Sequence, residues 1–269
     1  MVATPIGNLG DVTRRALETL AQADLVAAED TRVTRGLLAH FGIPARLVAV
    51  HAHNEVGSAE RIVAAIAGGK AVALVSDAGT PGVSDPGRVV VERVRAAGLR
   101  VVPVPGASAL TTALSASGLD FEGVVFAGFL PARGGERKAR LAALAAGPWA
   151  IALFEAPHRI AATLADLHAA LGDRHVVIAR ELTKRFETIA RVPLAEARAW
   201  VEADADRRRG EFVLVVEGRP VASSSALDPR AVLATLLAEL PVKQAVALAV
   251  TLTGGRRNEL YALALELKK

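Results

Sequence analysis

Short apolar runs that stop abruptly at clusters of small and polar residues recur along this chain, and they leave few folds open. The sharpest is Ala71-Val72-Ala73-Leu74-Val75, which breaks into Ser76-Asp77-Ala78-Gly79-Thr80-Pro81-Gly82-Val83-Ser84-Asp85-Pro86. A continuous apolar run of that kind suits a strand buried on both faces. In parallel α/β sheets, ligands bind in the loops beyond the carboxyl ends of such strands. The pattern returns at Val2-Ala3 before residues 4–11, at residues 25–28 before Glu29-Asp30-Thr31-Arg32, and at residues 47–50 before His51-Ala52-His53-Asn54-Glu55. It returns again at residues 100–104 before Pro105-Gly106-Ala107-Ser108-Ala109. Helical spacing lies between several of these runs, with Leu17, Leu20 and Ala21 on one face and a further helix over residues 60–67. Repeated βα units with every special loop at a strand end predict an α/β domain on a parallel sheet.

Several better-known motifs are close but absent. Gly82 to Gly87 has Walker A spacing, yet Arg88-Val89 follows where Lys-Ser or Lys-Thr is required, so a nucleoside triphosphate is not expected. No Gly-x-Gly-x-x-Gly occurs, so the usual dinucleotide fingerprint is missing too. A tight polar turn that merely closes a βα unit remains the plain alternative for residues 76–86. His51 and His53 have ligand spacing, but one pair without further clustered ligands suits polar contacts or substrate positioning better than metal, and no metal site is expected. Glu29, Asp30 and Arg32 read either as a polar edge beside the first loop or as the capped start of a helix.

After Gly118 the pattern changes. Residues 123–129 are apolar and strand-like, and a basic, Gly-rich loop over residues 130–138 precedes a helix over 139–146. Further strands over 150–154, 176–179 and 212–216 meet Glu155-Ala156-Pro157-His158-Arg159, Arg180-Glu181-Leu182-Thr183-Lys184 and Arg207-Arg208-Arg209-Gly210-Glu211. A boundary near Ser117 divides an N-terminal α/β domain, 1–117, from a second one, 118–220. A serine-rich linker then leads to a helical tail, 221–269, in which Asp228 caps a helix begun by Pro229, Pro241 starts a second, and Gly254-Gly255 ends it. Three short helices with Arg256, Arg257, Lys268 and Lys269 exposed look like a helix-turn-helix, with a plain helical cap or dimer element as the alternative.

With 269 residues, 52% of them hydrophobic and 22% charged, the chain has ample material for buried cores. The absence of cysteine excludes thiolate catalysis and disulfides. A net charge of +4 suits a surface that meets phosphates without defining one. No apolar stretch is long enough to cross a bilayer, so a soluble, cytoplasmic protein with no membrane partner is expected.

Taken together, Ala3-Thr4-Pro5-Ile6-Gly7-Asn8-Leu9, Ala28-Glu29-Asp30-Thr31-Arg32, His51-Ala52-His53-Asn54-Glu55, Ser76-Asp77-Ala78-Gly79-Thr80-Pro81 and Arg180-Glu181-Leu182-Thr183-Lys184 carry a resemblance. The chain resembles, in order and over nearly its whole length, the bacterial small-subunit ribosomal RNA 2′-O-methyltransferases of the tetrapyrrole methylase superfamily. The resemblance implies two α/β domains of the tetrapyrrole methylase type, the first with a parallel sheet and the second with a mixed one, holding S-adenosylmethionine between them. It implies methylation of a cytidine ribose in the decoding region of 16S ribosomal RNA, within the 30S subunit, by a homodimer without a metal. The superfamily's Gly-Asp-Pro loop is matched here by Gly79-Thr80-Pro81, and Thr80 cannot supply the charge of Asp. Pro5, Gly7, Gly79, Thr80, Val83, Ser108 and Ala109 are the cofactor contacts implied in the first domain, and Phe154, Glu211 and Phe212 those in the second. Family members usually carry several apolar residues ahead of the first loop; here Met1-Val2 stand there, so strand one is shortened or the start is displaced.

Methyl transfer from a sulfonium is an in-line displacement, so placement of the acceptor oxygen is the main task of the protein. A ribose hydroxyl is a poor nucleophile at neutral pH and calls for a proton acceptor or a cation beside the developing alkoxide. Among the strand-end residues His53 or Asp77 is expected to accept the proton, and Arg32, Arg180 and Lys184 to meet phosphate and alkoxide. Two other readings stay open: a tetrapyrrole or diphthine-type methyltransferase of the same superfamily, and a non-catalytic RNA-binding assembly factor.

Overall fold

A computed structural model describes residues 1–51, 54–219 and 228–268. The chain forms two compact units, Met1–Arg219 and Pro220–Lys269.

The first unit begins with three parallel strands, β1 (Leu25–Ala28), β2 (Leu47–Ala49) and β3 (Val72–Val75), in the order β2-β1-β3. Two extended segments prolong this sheet: the Val2 amide donates to Leu74 O at 2.8 Å, the Val104 amide donates to Met1 O at 2.8 Å, and Val2 and Val104 form a parallel bridge. The strand expected over 100–104 is therefore reduced to one paired residue. Past Pro103 the contact continues only as one hydrogen bond, from the Met1 amine to Val102 O at 3.1 Å.

Helices α1 (Arg14–Gln22) and α2 (Thr31–His40) cover one face of the sheet, where Ala16, Leu20 and Leu38 meet Val26, Ala28 and Val75. On the opposite face α3 (Glu55–Ala67) and α4 (Arg88–Ala96) set Ala59, Ile62, Val90 and Val94 against Ala27 and Leu74. Neighbouring residues on one strand thus feed opposite cores, as the two-residue strand period requires. Helix α5 (Ala109–Ala116) follows the 105–108 turn.

The second sheet has the order β4-β5-β8-β6-β7. It contains β4 (Val124–Phe129), β5 (Ala150–Glu155), β6 (His175–Arg180), β7 (Thr188–Pro193) and β8 (Phe212–Val216), with β4 and β5 parallel and every other neighbour antiparallel. Strand β7 has no counterpart among the runs read from sequence. It is an edge strand, Thr-Ile-Ala-Arg-Val-Pro, interrupted by Thr188 and Arg191 and closed by a proline that an edge tolerates, so no continuous apolar run marks it. The loop expected over 130–138 is also shorter than read: α6 starts at Gly134 and runs to Ala145, with Glu136 in its first turn where a carboxylate complements the helix dipole.

Helix α6 packs on one face of this sheet with α7 (Ile160–Leu171) and α8 (Leu194–Glu202), burying Leu141, Leu164, Leu167 and Leu194 against Ile151, Leu153 and Leu214. The other face is covered from the first half of the chain. Ile6 and Ala113 of α5 pack on Ala152, Val177, Val213 and Val215. The two sheets fall on either side of residue 117, and this shared core joins them into one unit.

The second unit is a three-helix cluster of α9 (Pro229–Glu239), α10 (Val242–Thr253) and α11 (Arg257–Leu267). Asp228 accepts the Arg230 amide at 3.0 Å as N-cap, Pro229 opens the helix, and Gly254 ends α10 in the left-handed conformation at φ 67°. Leu233, Val246, Ala249, Leu260 and Ala264 form its own core. Among the described residues no helix is long and apolar enough to cross a membrane.

Candidate active site

The site grows from the loop beyond β3. Gly79 is left-handed at φ 79° and exchanges backbone hydrogen bonds with Thr4, Thr4 N to Gly79 O at 2.9 Å and Gly79 N to Thr4 O at 3.0 Å. A Cβ there would lie 3.2 Å from Ile6 Cγ2, so glycine permits both the turn and the close approach. Thr80, which stands where the resemblance places an acid, donates its hydroxyl to Ala107 O at 3.2 Å. It ties two loops together in place of supplying charge. At the far end of the loop Glu55 Oε1 accepts the amides of Gly87 at 2.8 Å and Val89 at 3.0 Å, holding the start of α4.

These loops wall a cleft of about 370 Å³ whose opposite side comes from the second sheet. Gly79, Thr80, Val83, Ser108, Ala109, Phe154, Glu211 and Phe212 all line it. Pro5 and Gly7 do not; they line an adjoining hollow with Val33, Leu37 and Asp77, and the two spaces share Ile6, Ala78, Lys184 and Glu211. Sequence reasoning missed Asp85, Phe129 and Leu182 in the cleft wall. Phe129 ends an apolar run, and Leu182 and Asp85 both sit inside singled-out loops, so the signal was present for all three. The size lies in the range of about 300–1,000 Å³ usual for small-molecule sites. Phe129 and Phe154 line the cleft with their rings edge-on at 5.7 Å, backed by Phe126 at 5.0 Å from Phe154, an apolar wall on which a flat ring can pack. Asp85 and Glu211 offer carboxylates to a cationic ligand. The residues present fit S-adenosylmethionine, which pairs a purine with a sulfonium and an ammonium.

Lys184 stands where the two spaces meet. Its Nζ donates to Glu211 Oε2 at 2.6 Å and Glu181 Oε1 at 2.9 Å. Burial works against its charge, but those two hydrogen bonds outweigh it and raise the pKa above the ordinary lysine value. For Glu181 burial likewise opposes the charge, and the Lys184 and Glu211 amide contacts prevail, lowering its pKa. The loop that presents them is strained: Glu181 and Thr183 hold φ of 52° and 67°, a region non-glycine residues rarely enter. Gly7 packs directly on the Lys184 side chain, where a Cβ would overlap it.

Across the adjoining hollow Asp77 Oδ1 accepts the Asp30 amide at 2.9 Å, and Glu29 Oε2 accepts the Asp77 amide at 3.4 Å. Burial, followed by the charges of Asp85, Asp77 and Asp30, pushes the Glu29 carboxyl up against the opposing pull of the Asp77 amide. Burial first, then Asp77, does the same to Asp85, with Ser76 opposing. Asp30 caps α2 through Arg32 N at 2.8 Å and pairs with the exposed Arg32 side chain at 2.6 Å. Hydrogen bonds from Arg32 hold its pKa down at about 2. The edge reading and the helix-cap reading of Glu29, Asp30 and Arg32 are thus both realised.

Arg180 departs from its expected part. It is 8% exposed, lines neither space, and donates to Arg209 O at 3.2 Å and Phe186 O at 3.1 Å. Lying at the buried end of β6, it turns its two terminal nitrogens onto carbonyls of the 181–187 and 207–209 loops, so it holds those loops in place of a phosphate or alkoxide. His53 lies outside the described residues. Among the described residues no group of three or more His, Cys, Asp or Glu side chains could hold a metal ion.

The model for tetrapyrrole (corrin/porphyrin) methylases matches residues 1–198, and that for the RsmI C-terminal HTH domain matches residues 223–268. The ribosomal RNA small subunit methyltransferase I of Escherichia coli O157:H7 is 51% identical over 268 residues, 99% of this chain and 94% of that protein. Among solved structures, a diphthine synthase superposes with a TM-score of 0.60 at 18% identity, over 81% of this chain and 88% of the other. A uroporphyrin-III C-methyltransferase of Thermus thermophilus complexed with S-adenyl homocysteine does so at 0.54 and 20% identity, over 80% and 95%. Those two likenesses concern the fold. The sheets, the cleft between them and the near full-length relative agree: the chain belongs to the tetrapyrrole methylase family, in its ribosomal RNA small subunit methyltransferase I branch.

Proposed function

We propose that this chain transfers the methyl group of S-adenosylmethionine to a ribose 2′-hydroxyl of 16S ribosomal RNA, at a cytidine of the decoding region in the 30S subunit. The observation that carries this reading is the junction of two spaces at Lys184 and Glu211: one apolar and sized for a small molecule, the other open and lined by Asp77. When bound, S-adenosylmethionine supplies an electrophilic methyl. The chain's own residues place the acceptor and handle its proton.

Asp77 accepts the proton of the ribose hydroxyl, its carboxylate held in place by the Asp30 amide. Lys184 uses two of its three N–H donors on Glu181 and Glu211, which leaves the third for the oxygen that gains negative charge. Arg32, 85% exposed at the start of α2, meets a phosphate beside the target nucleotide. Helices α9 to α11 add affinity for RNA without taking part in the chemistry. The family resemblance extends the reading to a cytoplasmic homodimer, and sedimentation of the purified chain checks the dimer.

The test is transfer of labelled methyl from S-adenosylmethionine to 30S subunits and to naked 16S RNA, with the product nucleotide mapped by mass spectrometry. Label in a single 2′-O-methylcytidine, stronger in the subunit, is the expected result. Label on a base, on protein or nowhere would overturn the reading.

A further inference from the structure

Outside both spaces lies a surface the reaction scheme leaves unused. Phe186, at the tip of the turn between β6 and β7, is 65% exposed, the most exposed large hydrophobic side chain among the described residues. The turn beneath it is held firmly. Thr183 N donates to Glu187 Oε2 at 2.6 Å, and the buried Arg180 guanidinium grips Phe186 O and Arg209 O at once. One cation therefore fixes the aromatic tip beside the Arg207-Arg208-Arg209 loop.

That loop divides its labour. Arg207 stacks 4.3 Å over the Trp200 ring and donates to Trp200 O, and Arg209 pairs with Asp206 at 3.0 Å. Arg208 makes no side-chain hydrogen bond or ion pair among the described residues. It lines a hollow with His158 and Arg209, and Pro157 is a wall common to that hollow and the cofactor cleft. Arg185 adds another cation, 5.6 Å from the centroid of the Phe186 ring. An exposed aromatic ring with one arginine over it, on a turn tied through Arg180 to an arginine-rich loop that shares a wall with the methyl-donor cleft, matches how proteins seat unpaired nucleotides: a base stacks on the ring while its phosphates meet arginines. A protein partner would instead ask for a continuous apolar patch around Phe186.

We propose that Phe186 is a stacking platform for an unpaired base of the RNA substrate and that Arg208, with His158 and Arg209, holds a phosphate of the same strand. The inference rests on the RNA reading given above and locates, on this chain, where the strand enters. It makes Phe186 and Arg208 positioning residues that set which ribose reaches Asp77 and Lys184.

The test compares the full chain with Phe186→Ala, Phe186→Trp and Arg208→Glu. Binding of a 16-nucleotide single-stranded RNA is read by fluorescence anisotropy over a salt series, S-adenosylmethionine affinity by calorimetry, and KM and kcat on 30S subunits. Phe186→Ala is expected to weaken RNA binding about tenfold, the usual loss on removing one base-stacking ring, and to raise KM more than it lowers kcat. Phe186→Trp restores both. Arg208→Glu weakens binding and makes its dependence on salt shallower by about one phosphate contact. Cofactor affinity is unchanged throughout.

Wild-type RNA affinity in Phe186→Ala, or a Trp variant as weak as the Ala one, would overturn the proposal. So would a loss seen only on intact subunits with naked RNA bound as before, since that marks a contact with ribosomal protein. A wild-type chain that binds the strand yet transfers methyl to neither 30S subunits nor 16S RNA defeats the functional reading while leaving the seat standing.

Discussion

Glu155 offers a measurable test of how the cleft wall is held. The side chain is 2% exposed at the end of β5, and its neighbours Ala156 and Pro157 line the cofactor cleft. Oε1 accepts the Ala156 amide at 2.8 Å and pairs with Arg159 Nε at 3.1 Å, while Oε2 accepts the Thr163 hydroxyl at 2.5 Å. Glu155→Ala strips an acceptor from all three. Losing one partner of a buried ion pair costs about 3–5 kcal/mol. Arg159 keeps Leu130 O at 2.6 Å and Pro131 O at 3.2 Å, which moves the expectation to the lower end. Glu155→Gln retains an acceptor and the volume, and should cost about 1–1.5 kcal/mol, the difference between charge-assisted and neutral hydrogen bonds. The two variants should therefore differ by about 2 kcal/mol on these estimates. Urea unfolding followed by tryptophan fluorescence measures this in the right place, because Trp149 and Trp200 both lie in the first unit. The midpoint should fall at constant m. A Glu155→Ala variant within about 1 kcal/mol of wild type, or a Gln variant as costly as the Ala one, would refute the account of a buried, mutually dependent cluster.

Lys184→Met should fold and bind S-adenosylmethionine yet lose about 10²- to 10³-fold in kcat, the scale of one lost oxyanion donor; single-turnover rates with bound cofactor decide it. Asp85→Asn should raise thermal stability at neutral pH. Its raised folded pKa means that the folded state binds protons more tightly, so ionisation destabilises it above that window. The gain should fade as the pH falls through the carboxylate range, and a gain undiminished in acid contradicts the assignment. Removing residues from Ser223 onward should spare cofactor affinity while weakening RNA binding and flattening its salt dependence, and a truncation blind to the cofactor would refute this. Extensive chelation should leave methyl transfer intact; loss restored by one divalent ion, with the substrate still folded, would count against metal-free chemistry.

Much of the architecture was legible because strands buried on both faces cannot hide polar residues. The runs at 25–28, 71–75, 150–154 and 212–216 all became strands, and the residues after β3 and β5, with those that open β8, line one cleft. Helix signals in the tail worked for an equally local reason: Asp228, Pro229 and Gly254 act on their own backbone. What escaped was decided by neighbours. β7 owes its existence to an open edge beside β6, and residues 100–104 pair only where residues 1–3 of the chain's start reach them, at the Val2–Val104 bridge.

The sequence by itself determined which residues could carry chemistry, since side-chain type and strand-end position are local properties. Only the tertiary structure decided what each one faces. It put Pro5 and Gly7 in a hollow beside Asp77 and apart from Gly79, and it set Lys184 at the junction between two carboxylates. It also kept Arg180 out of both spaces and set it on two loop carbonyls. The direction of a cation is settled by which unpaired acceptors lie within reach once the chain is packed, and those acceptors come from residues distant in sequence.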